Sequence, residues 1–187
     1  MLMGGSMEAA QKRTIRVGDI SIDFVWFDSM GAKCSSILVE TPDASVLIDP
    51  GVAEMQPSYP LPVEEKLRLR EVAMEEIRQR ASRADYVVIS HYHYDHHVLP
   101  KRDGDIYAGK TLWVKDPNKW INESQWKRAR LFFSQLLEIR GEVLEDHLAE
   151  PQEVEVGEPL SELPLASSKD YGDYAPRKRE LLRKGMR

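Results

Sequence analysis

The sequence predicts a layered α/β fold, and three observations support this prediction. Short runs of alternating apolar residues come first, and a long amphipathic helix follows them. A short apolar strand then leads into a cluster of histidines, and a further strand and helix come after that cluster. Strands that alternate with helices in this way are typical of a sheet covered by helices. Such sheets usually place their ligands at the carboxyl ends of the strands.

The length and composition are those of one soluble globular domain. The chain has 187 residues, of which 42% are hydrophobic and 30% are charged, enough to bury a real core. A net charge of -5 argues weakly against nucleic-acid binding. Cys34 is the only cysteine, so we expect a small buried hydrophobe rather than a nucleophile or a disulfide partner. We see no secretory signal and no membrane-spanning run, and therefore expect a cytoplasmic protein.

Two hairpins and a long helix are predicted in the first half of the chain. The hairpins pair Thr14–Val17 with residues 20–27, and residues 35–40 with Ser45–Ile48. Residues 62–81 have helical periodicity, so their apolar stripe is expected to face the core. That stripe consists of Val63, Leu67, Met74, Ile77 and Ala81.

Two further strands and a second helix are predicted in the second half. The strands cover residues 85–90 and Thr111–Val114, and the helix runs from an Asn122 cap to about Arg140. Its expected buried face consists of Trp126, Ala129, Phe133 and Leu136. Residues 154–156 alternate like an edge strand. We expect a domain over residues 1–165 and a polar, basic tail over residues 166–187.

Four of the five histidines lie between residues 91 and 97, directly after an apolar strand. Imidazole and carboxylate are ligands that zinc and similar divalent metals prefer. In an extended segment alternate side chains share a face, so His91 and His93 are expected to converge on one ion. Asp95 continues that face, whereas His96 is out of phase and suits a second ion. For His97 three roles stay open: a ligand, a hydrogen-bonding support for a ligand, or a residue that faces water.

The spacing His91-x-His93-x-Asp95-His96 resembles the signature of the metallo-β-lactamase superfamily. Asp49, at the end of an apolar run, resembles the acidic residue that supports the site through hydrogen bonds in that family. Further similar motifs are Asp28-Ser29-Met30-Gly31, residues 47–51 and residues 115–125. Together they resemble an uncharacterised, mainly archaeal branch of predicted metal-dependent hydrolases.

The resemblance implies a sandwich of two β-sheets between helices, the αββα fold. It ends after Gly157, so we expect only the N-terminal half to two-thirds of that fold, with the C-terminal half missing. That half normally supplies further ligands. Outside the cluster the chain offers His147, which we expect at the surface, and Asp170 and Asp173, which no apolar strand precedes.

The resemblance also implies one or two divalent ions, by default zinc, with iron or manganese as alternatives. Metal-bound hydroxide would attack an ester, thioester, lactone or phosphodiester of a small-molecule substrate. His91 and His93 would hold the first ion, and Asp95 and His96 the second. Asp95 would also act as the catalytic residue that orients the nucleophile, with Asp49 and His97 in support.

Two other functions remain open at this point. The first is a non-catalytic, truncated relative that acts as a homodimer or together with a complementing chain, because a missing half would uncover an apolar sheet face. The second is a nuclease, which only the basic run at residues 177–187 supports. A charged run at a terminus is more often a solvated tail, so nucleic-acid binding is the weaker alternative.

Overall fold

The computed structural model describes residues 14–28 and 33–148. Two compact units divide at Lys115 and Asp116. The first unit contains β1 (Thr14–Val17), β2 (Ile20–Asp28), β3 (Lys33–Glu40), β4 (Ser45–Ile48), α1 (Val63–Ala81), β5 (Tyr86–Ile89), α2 (Pro100–Asp103) and β6 (Thr111–Val114), with a 3-10 turn at Gly104–Ile106. The second contains α3 (Glu123–Glu138) and a 3-10 turn at Leu144–His147. Among these residues no helix is both long and apolar enough to cross a membrane.

The six strands form one mixed sheet in the order β1-β2-β3-β4-β5-β6. The pairs from β1 to β4 are antiparallel, whereas β4, β5 and β6 run parallel. Strands β2, β4, β5 and β6 therefore point in the same direction, and their carboxyl ends lie at one edge. The predicted α/β class is confirmed, and so are the six strands predicted between residues 14 and 114. A complete αββα sandwich has two sheets, and the described residues form one.

The core lies between the central strands and the second half of α1. Leu38, Leu47 and Val87 are neighbours in register on three adjacent strands, and none of them is exposed. Ala73 and Ile77 of α1 are equally buried. Full burial of an aliphatic side chain of this size contributes about 1.5–3 kcal/mol. The alternation that predicted the strands thus identifies one face of the sheet correctly.

The predicted apolar stripe of α1 is wrong at its first two positions. Val63 is 58% exposed and Leu67 is 39% exposed, whereas Lys66 is only 4% exposed. The Nζ of Lys66 donates hydrogen bonds of 3.0 Å to the carbonyl oxygens of Gln56 and Pro57. The beginning of the helix is therefore bonded to the preceding loop through a buried ammonium group. The core-facing stripe begins only at Ala73.

In the second unit the predicted cap of α3 is confirmed, whereas its predicted buried face is only partly correct. The side chain of Asn122 accepts a 3.0 Å hydrogen bond from the backbone N–H of Gln125, as an N-cap should. Ala129 and Phe132 are buried three residues apart on one face, so Phe132 takes the place predicted for Phe133. The predicted strand at 154–156, the boundary near residue 165 and the basic tail lie outside the described residues.

The second face of the sheet is also apolar but only partly buried. Register places Val46 beside Tyr86, and Ile48 beside Val88. Val88 in turn lies beside Trp113, which is 57% exposed. The Trp113 ring stacks on Tyr86 with a centroid separation of 5.1 Å. Because strand residues alternate between faces, these side chains form a continuous apolar surface opposite the core face.

A buried carboxylate ties α1 to the segment that follows the histidines, and its removal should destabilise the fold. Asp103 is fully buried, and its two oxygens lie 2.6 Å from the guanidinium groups of Arg78 and Arg102. We expect Asp103→Ala to lower the free energy of unfolding by about 2 kcal/mol, less than for a fully buried pair because both arginines reach water. Glu75→Ala is the matched control, since Glu75 lies 3.8 Å from Arg78 at the surface. Urea titrations should show a change within about 0.5 kcal/mol for the control; equal losses would contradict the assignment.

Candidate metal centre

The four clustered histidines lie on a turn that follows β5, here called the histidine turn (residues 91–97). The backbone N–H of His96 donates a 2.9 Å hydrogen bond to the carbonyl oxygen of His93. The Nδ1 atom of His97 lies 2.9 Å from the same oxygen. The segment is therefore closed on itself and not extended. The alternation argument assumed an extended segment, whereas this bond bends the chain between His93 and His96.

The turn brings together the side chains that the sequence singled out. The ring centroids of His91 and His96 are 3.9 Å apart, and those of His91 and His93 are 4.8 Å apart. The Nε2 atom of His96 lies 3.6 Å from an Asp95 carboxylate oxygen. Three imidazoles and one carboxylate thus share a small volume at the carboxyl edge of the sheet, where parallel strands usually present ligands.

Asp49 anchors this arrangement from the neighbouring strand. Its backbone has a φ of 48°, a left-handed conformation that aspartate tolerates better than most residues. One carboxylate oxygen accepts a 2.8 Å bond from the backbone N–H of Ser90. The other accepts a 2.7 Å bond from the Ser90 hydroxyl and lies 2.9 Å from Nδ1 of His96. These are bonds of the kind that the resemblance implies for Asp49.

The electrostatics of the site follow from burial and from these hydrogen bonds. Burial, together with the neighbouring imidazoles of His96 and His93, lowers the pKa of His91 and favours its neutral form. The hydrogen bond to Asp49 raises the pKa of His96 against the opposing effect of burial. Burial would raise the pKa of Asp49, but the hydrogen bonds from His96 and Ser90 outweigh it and lower that pKa.

His97 supports the turn from inside. Its side chain is fully buried, so the alternative in which it faces water is wrong. Its ring packs edge-on against Tyr92, at a centroid distance of 5.9 Å, and lies 5.5 Å from the Tyr94 ring. The Tyr92 hydroxyl donates a 2.5 Å hydrogen bond to the carbonyl oxygen of Lys115, beyond the end of β6. Tyr92 is a core residue, with none of its surface exposed.

Gly51 lies directly against the backbone of the histidine turn. A Cβ atom at this position would stand 2.3 Å from the backbone nitrogens of His96 and His97, and 2.4 Å from the carbonyl carbon of Asp95. Its φ is not in the left-handed range, so space rather than conformation requires glycine here. The loop after β4 and the histidine turn therefore pack backbone against backbone.

Cys34 is a buried and unreactive thiol beside the same loop. Its side chain is fully buried, and its sulfur accepts a 3.3 Å hydrogen bond from the N–H of Ala53. Burial raises the pKa of the Cys34 thiol to about 12, and the nearby carboxylates of Asp28 and Asp95 act in the same direction. The thiolate, which is the reactive form, is strongly disfavoured. The expectation of a buried hydrophobe without a nucleophilic role agrees with this environment.

The donor types in the histidine turn suit zinc, iron or manganese, since imidazole and carboxylate ligate all three. Within residues 14–28 and 33–148, however, no three His, Cys, Asp or Glu side chains converge in an arrangement that would hold one ion. The residues fit a divalent metal in chemistry and proximity, but three-fold convergence is not present. His147 lies at the surface with its Nε2 atom 2.7 Å from Glu142. Asp170 and Asp173 lie outside the described residues.

One segment of the chain is similar to a known protein family. Residues 31–97, from the end of the Asp28 motif to the last histidine, match the family model of the metallo-beta-lactamase superfamily. This segment is metallo-beta-lactamase-like. The resemblance proposed from the sequence motifs is thereby confirmed. No solved structure matches the chain significantly.

Relatives of this chain include archaeal proteins named UPF0282. A UPF0282 protein of Korarchaeum cryptofilum is 46% identical over 110 residues, which cover 58% of this chain and 37% of the relative. One of Methanopyrus kandleri is 40% identical over 125 residues, covering 60% of this chain and 42% of the relative. One of Sulfolobus acidocaldarius is 43% identical over 113 residues, covering 57% and 35%. The aligned part of the chain thus spans about two fifths of the length of these relatives.

The structure adds Ser90 and Gly51 to the residues that the sequence singled out. Ser90 bonds to Asp49 and lies 2.9 Å from the Nδ1 atom of His91, although in the sequence it only ends a strand. Gly51 stood out only as the last residue of the motif at residues 47–51. A hydroxyl residue directly before the first histidine, and a glycine two residues after the acidic residue, are the sequence features that could have revealed them.

A side chain at position 51 should displace the histidine turn. We expect Gly51→Ala to cost about 1–3 kcal/mol of stability, because the new Cβ meets backbone atoms that cannot rotate away. The amide NMR signals of residues 95–97 should shift. Gly109→Ala is the comparison: Gly109 has a φ of 71° and nothing within 4 Å of its Cβ position, so it reports backbone strain alone. Unmoved turn signals in Gly51→Ala, or equal movement in both variants, would contradict the packing argument.

Proposed function

We propose that this chain is the metal-binding part of a metal-dependent hydrolase of the metallo-beta-lactamase superfamily. The observation that carries the proposal is the close grouping of three imidazoles and Asp95, with His96 bonded to a buried carboxylate. A purely structural histidine turn would have no need of such a support. Histidines that bind metals almost always donate a hydrogen bond from the N–H of their other ring nitrogen to a carboxylate, a carbonyl or a water molecule.

The proposed ligands are His91 and His93 for one ion, and Asp95 and His96 for a second. A bound divalent ion would polarise the scissile carbonyl or phosphoryl group and lower the pKa of a water molecule. In this scheme Asp95 orients the nucleophile, since its side chain is 21% exposed and lies beside His96. Asp49 keeps its place behind His96, where it holds the ring and does not contact substrate.

The proposed site chemistry does not select one class of substrate. Ester, thioester, lactone and phosphodiester groups all present an electrophilic centre that a divalent ion can polarise. Superfamily membership does not narrow the choice, because one fold carries many reactions. A nuclease role would need a basic surface, and the run that suggested one, residues 177–187, lies outside the described residues. The hydrolysis of a small molecule is therefore the proposal supported by the residues at the site.

Elemental analysis tests the metal proposal directly. The purified chain should contain at least about one equivalent of zinc, iron or manganese, and His91→Ala/His93→Ala should lose that metal because two imidazoles are removed. His147→Ala is the matched control, since His147 is an exposed imidazole bonded to Glu142. It should retain the metal of the wild-type protein. A wild-type chain that stays metal-free after incubation with Zn²⁺ would refute the proposal.

A non-catalytic role through self-association is the second candidate, and the apolar second face of the sheet favours it. Trp113 is 57% exposed beside Tyr86 and Val88, and β6 pairs only with β5 within the described residues. An edge strand next to an apolar surface can pair with its equivalent in a second copy. The occupant that we propose for this surface is therefore a second copy of the chain.

Light scattering after size exclusion tests the association. The wild-type chain should elute as a dimer, and Trp113→Lys should shift it to a monomer because a charge would be buried at the apolar surface. Val63→Lys is the control, since Val63 is 58% exposed but lies on α1 and not on the sheet. It should leave the dimer intact. A wild-type chain that is monomeric at high concentration would rule this candidate out.

A further inference from the structure

We propose that Ser90 is a positioning residue that fixes the ring proton of His91 on Nδ1, so that one carboxylate, that of Asp49, directs two histidines. The inference deepens the proposed function and rests on it only where metal affinity is concerned. The hydrogen bonds themselves belong to the chain without metal. They connect His91, Ser90, Asp49 and His96 in that order.

The direction of each bond follows from the chemistry of its partners. The Ser90 hydroxyl has one proton, and its oxygen lies 2.7 Å from a carboxylate oxygen of Asp49 and 2.9 Å from Nδ1 of His91. A carboxylate can only accept, and a bond to a charged acceptor is about twice as strong as a neutral one. The hydroxyl proton therefore points to Asp49. The serine oxygen is left as an acceptor towards His91.

Only one neutral tautomer of His91 agrees with this direction. If Nδ1 of His91 carried a lone pair, it would face the lone pairs of the Ser90 oxygen at 2.9 Å, which is repulsive. With the proton on Nδ1, the ring donates to the serine oxygen and the contact is favourable. The lone pair of His91 is then on Nε2.

The same carboxylate acts on His96 without an intermediary. Its oxygen lies 2.9 Å from Nδ1 of His96, so that nitrogen donates, and on the neutral ring the Nε2 lone pair stays open to a ligand. Asp49 therefore presents Nε2 of His96 directly and Nε2 of His91 through Ser90. The ring centroids of the two histidines are 3.9 Å apart, so both prepared nitrogens belong to one small site. A tautomer fixed before binding lowers the cost of organising the ligands.

The test compares Ser90→Ala with Ser90→Thr in the full-length, metal-free chain. Imidazole ¹⁵N chemical shifts distinguish protonated from unprotonated ring nitrogens, and at about pH 8 an imidazole with an ordinary pKa of about 6.5 is neutral. In the wild-type chain His91 should be protonated on Nδ1. Ser90→Ala should move the population towards the Nε2–H form, and Ser90→Thr, which keeps the hydroxyl, should restore the wild-type pattern. Ser90 is exposed, so loss of its hydroxyl opens no cavity.

Two internal comparisons separate this effect from a general one. Ser45 is the matched control, because its hydroxyl oxygen also lies 2.7 Å from a carboxylate oxygen, that of Asp85, at the other end of β4. Ser45→Ala should leave the His91 tautomer unchanged. His147 provides a reference signal, since its Nε2 atom lies 2.7 Å from Glu142 and should carry a proton in every variant.

Zinc titration gives the second measurement. Ser90→Ala should weaken zinc affinity by about 10–100-fold, as removal of such supporting partners usually does, while Ser90→Thr and Ser45→Ala should not. A wild-type His91 protonated on Nε2, or an unchanged tautomer in Ser90→Ala, would overturn the inference even if zinc binds. A chain that binds no zinc but shows the Nδ1 proton would refute the proposed function and leave the positioning role of Ser90 in place.

Discussion

The carboxylate of Asp49 is the group on which the arrangement of the site depends. It is only 5% exposed, and it is held in a left-handed backbone conformation at the end of β4. A charge buried to this degree is costly unless donors surround it. Ser90 supplies two donors and His96 a third. The need to satisfy this one group therefore determines how the end of β5 and the histidine turn approach β4.

The sheet topology explains why this approach is possible. A parallel pair such as β4 and β5 delivers two carboxyl ends to the same edge, and the crossover helix α1 occupies the residues between them. Gly51 then lets the loop after β4 lie against the backbone of the turn. Asp103 ties α1 to the segment after the histidines through Arg78. The loop after β4 and the Asp103 ion pair thus fix the histidine turn before and after its sequence. The proposed ligand side chains would therefore need little rearrangement to bind an ion.

The secondary structure could be predicted from the sequence, because apolar periodicity and cap residues are local. Asp49 and the histidine cluster stood out for the same reason: their residue types and spacing are visible in the chain. The geometry between them could not be predicted, since His96 bonds to a residue 47 positions away. The bend at His93 and the burial of Lys66 likewise depend on carbonyl groups whose location only the folded chain defines. The strand pattern alone made His96 look out of phase.

The carbonyl oxygen of His93 has a consequence for how this site can change over time. It lies 2.9 Å from both the backbone nitrogen of His96 and the Nδ1 atom of His97, so the main chain at position 93 helps to shape the turn. Almost any amino acid could supply that oxygen, and the imidazole at 93 is therefore free to be exchanged without collapse of the loop. At position 96 the ring itself is bonded to Asp49, so a substitution there would remove a proposed ligand and also a contact that holds the turn. In the proposed metal site, a change of ligand would therefore start most easily at residue 93.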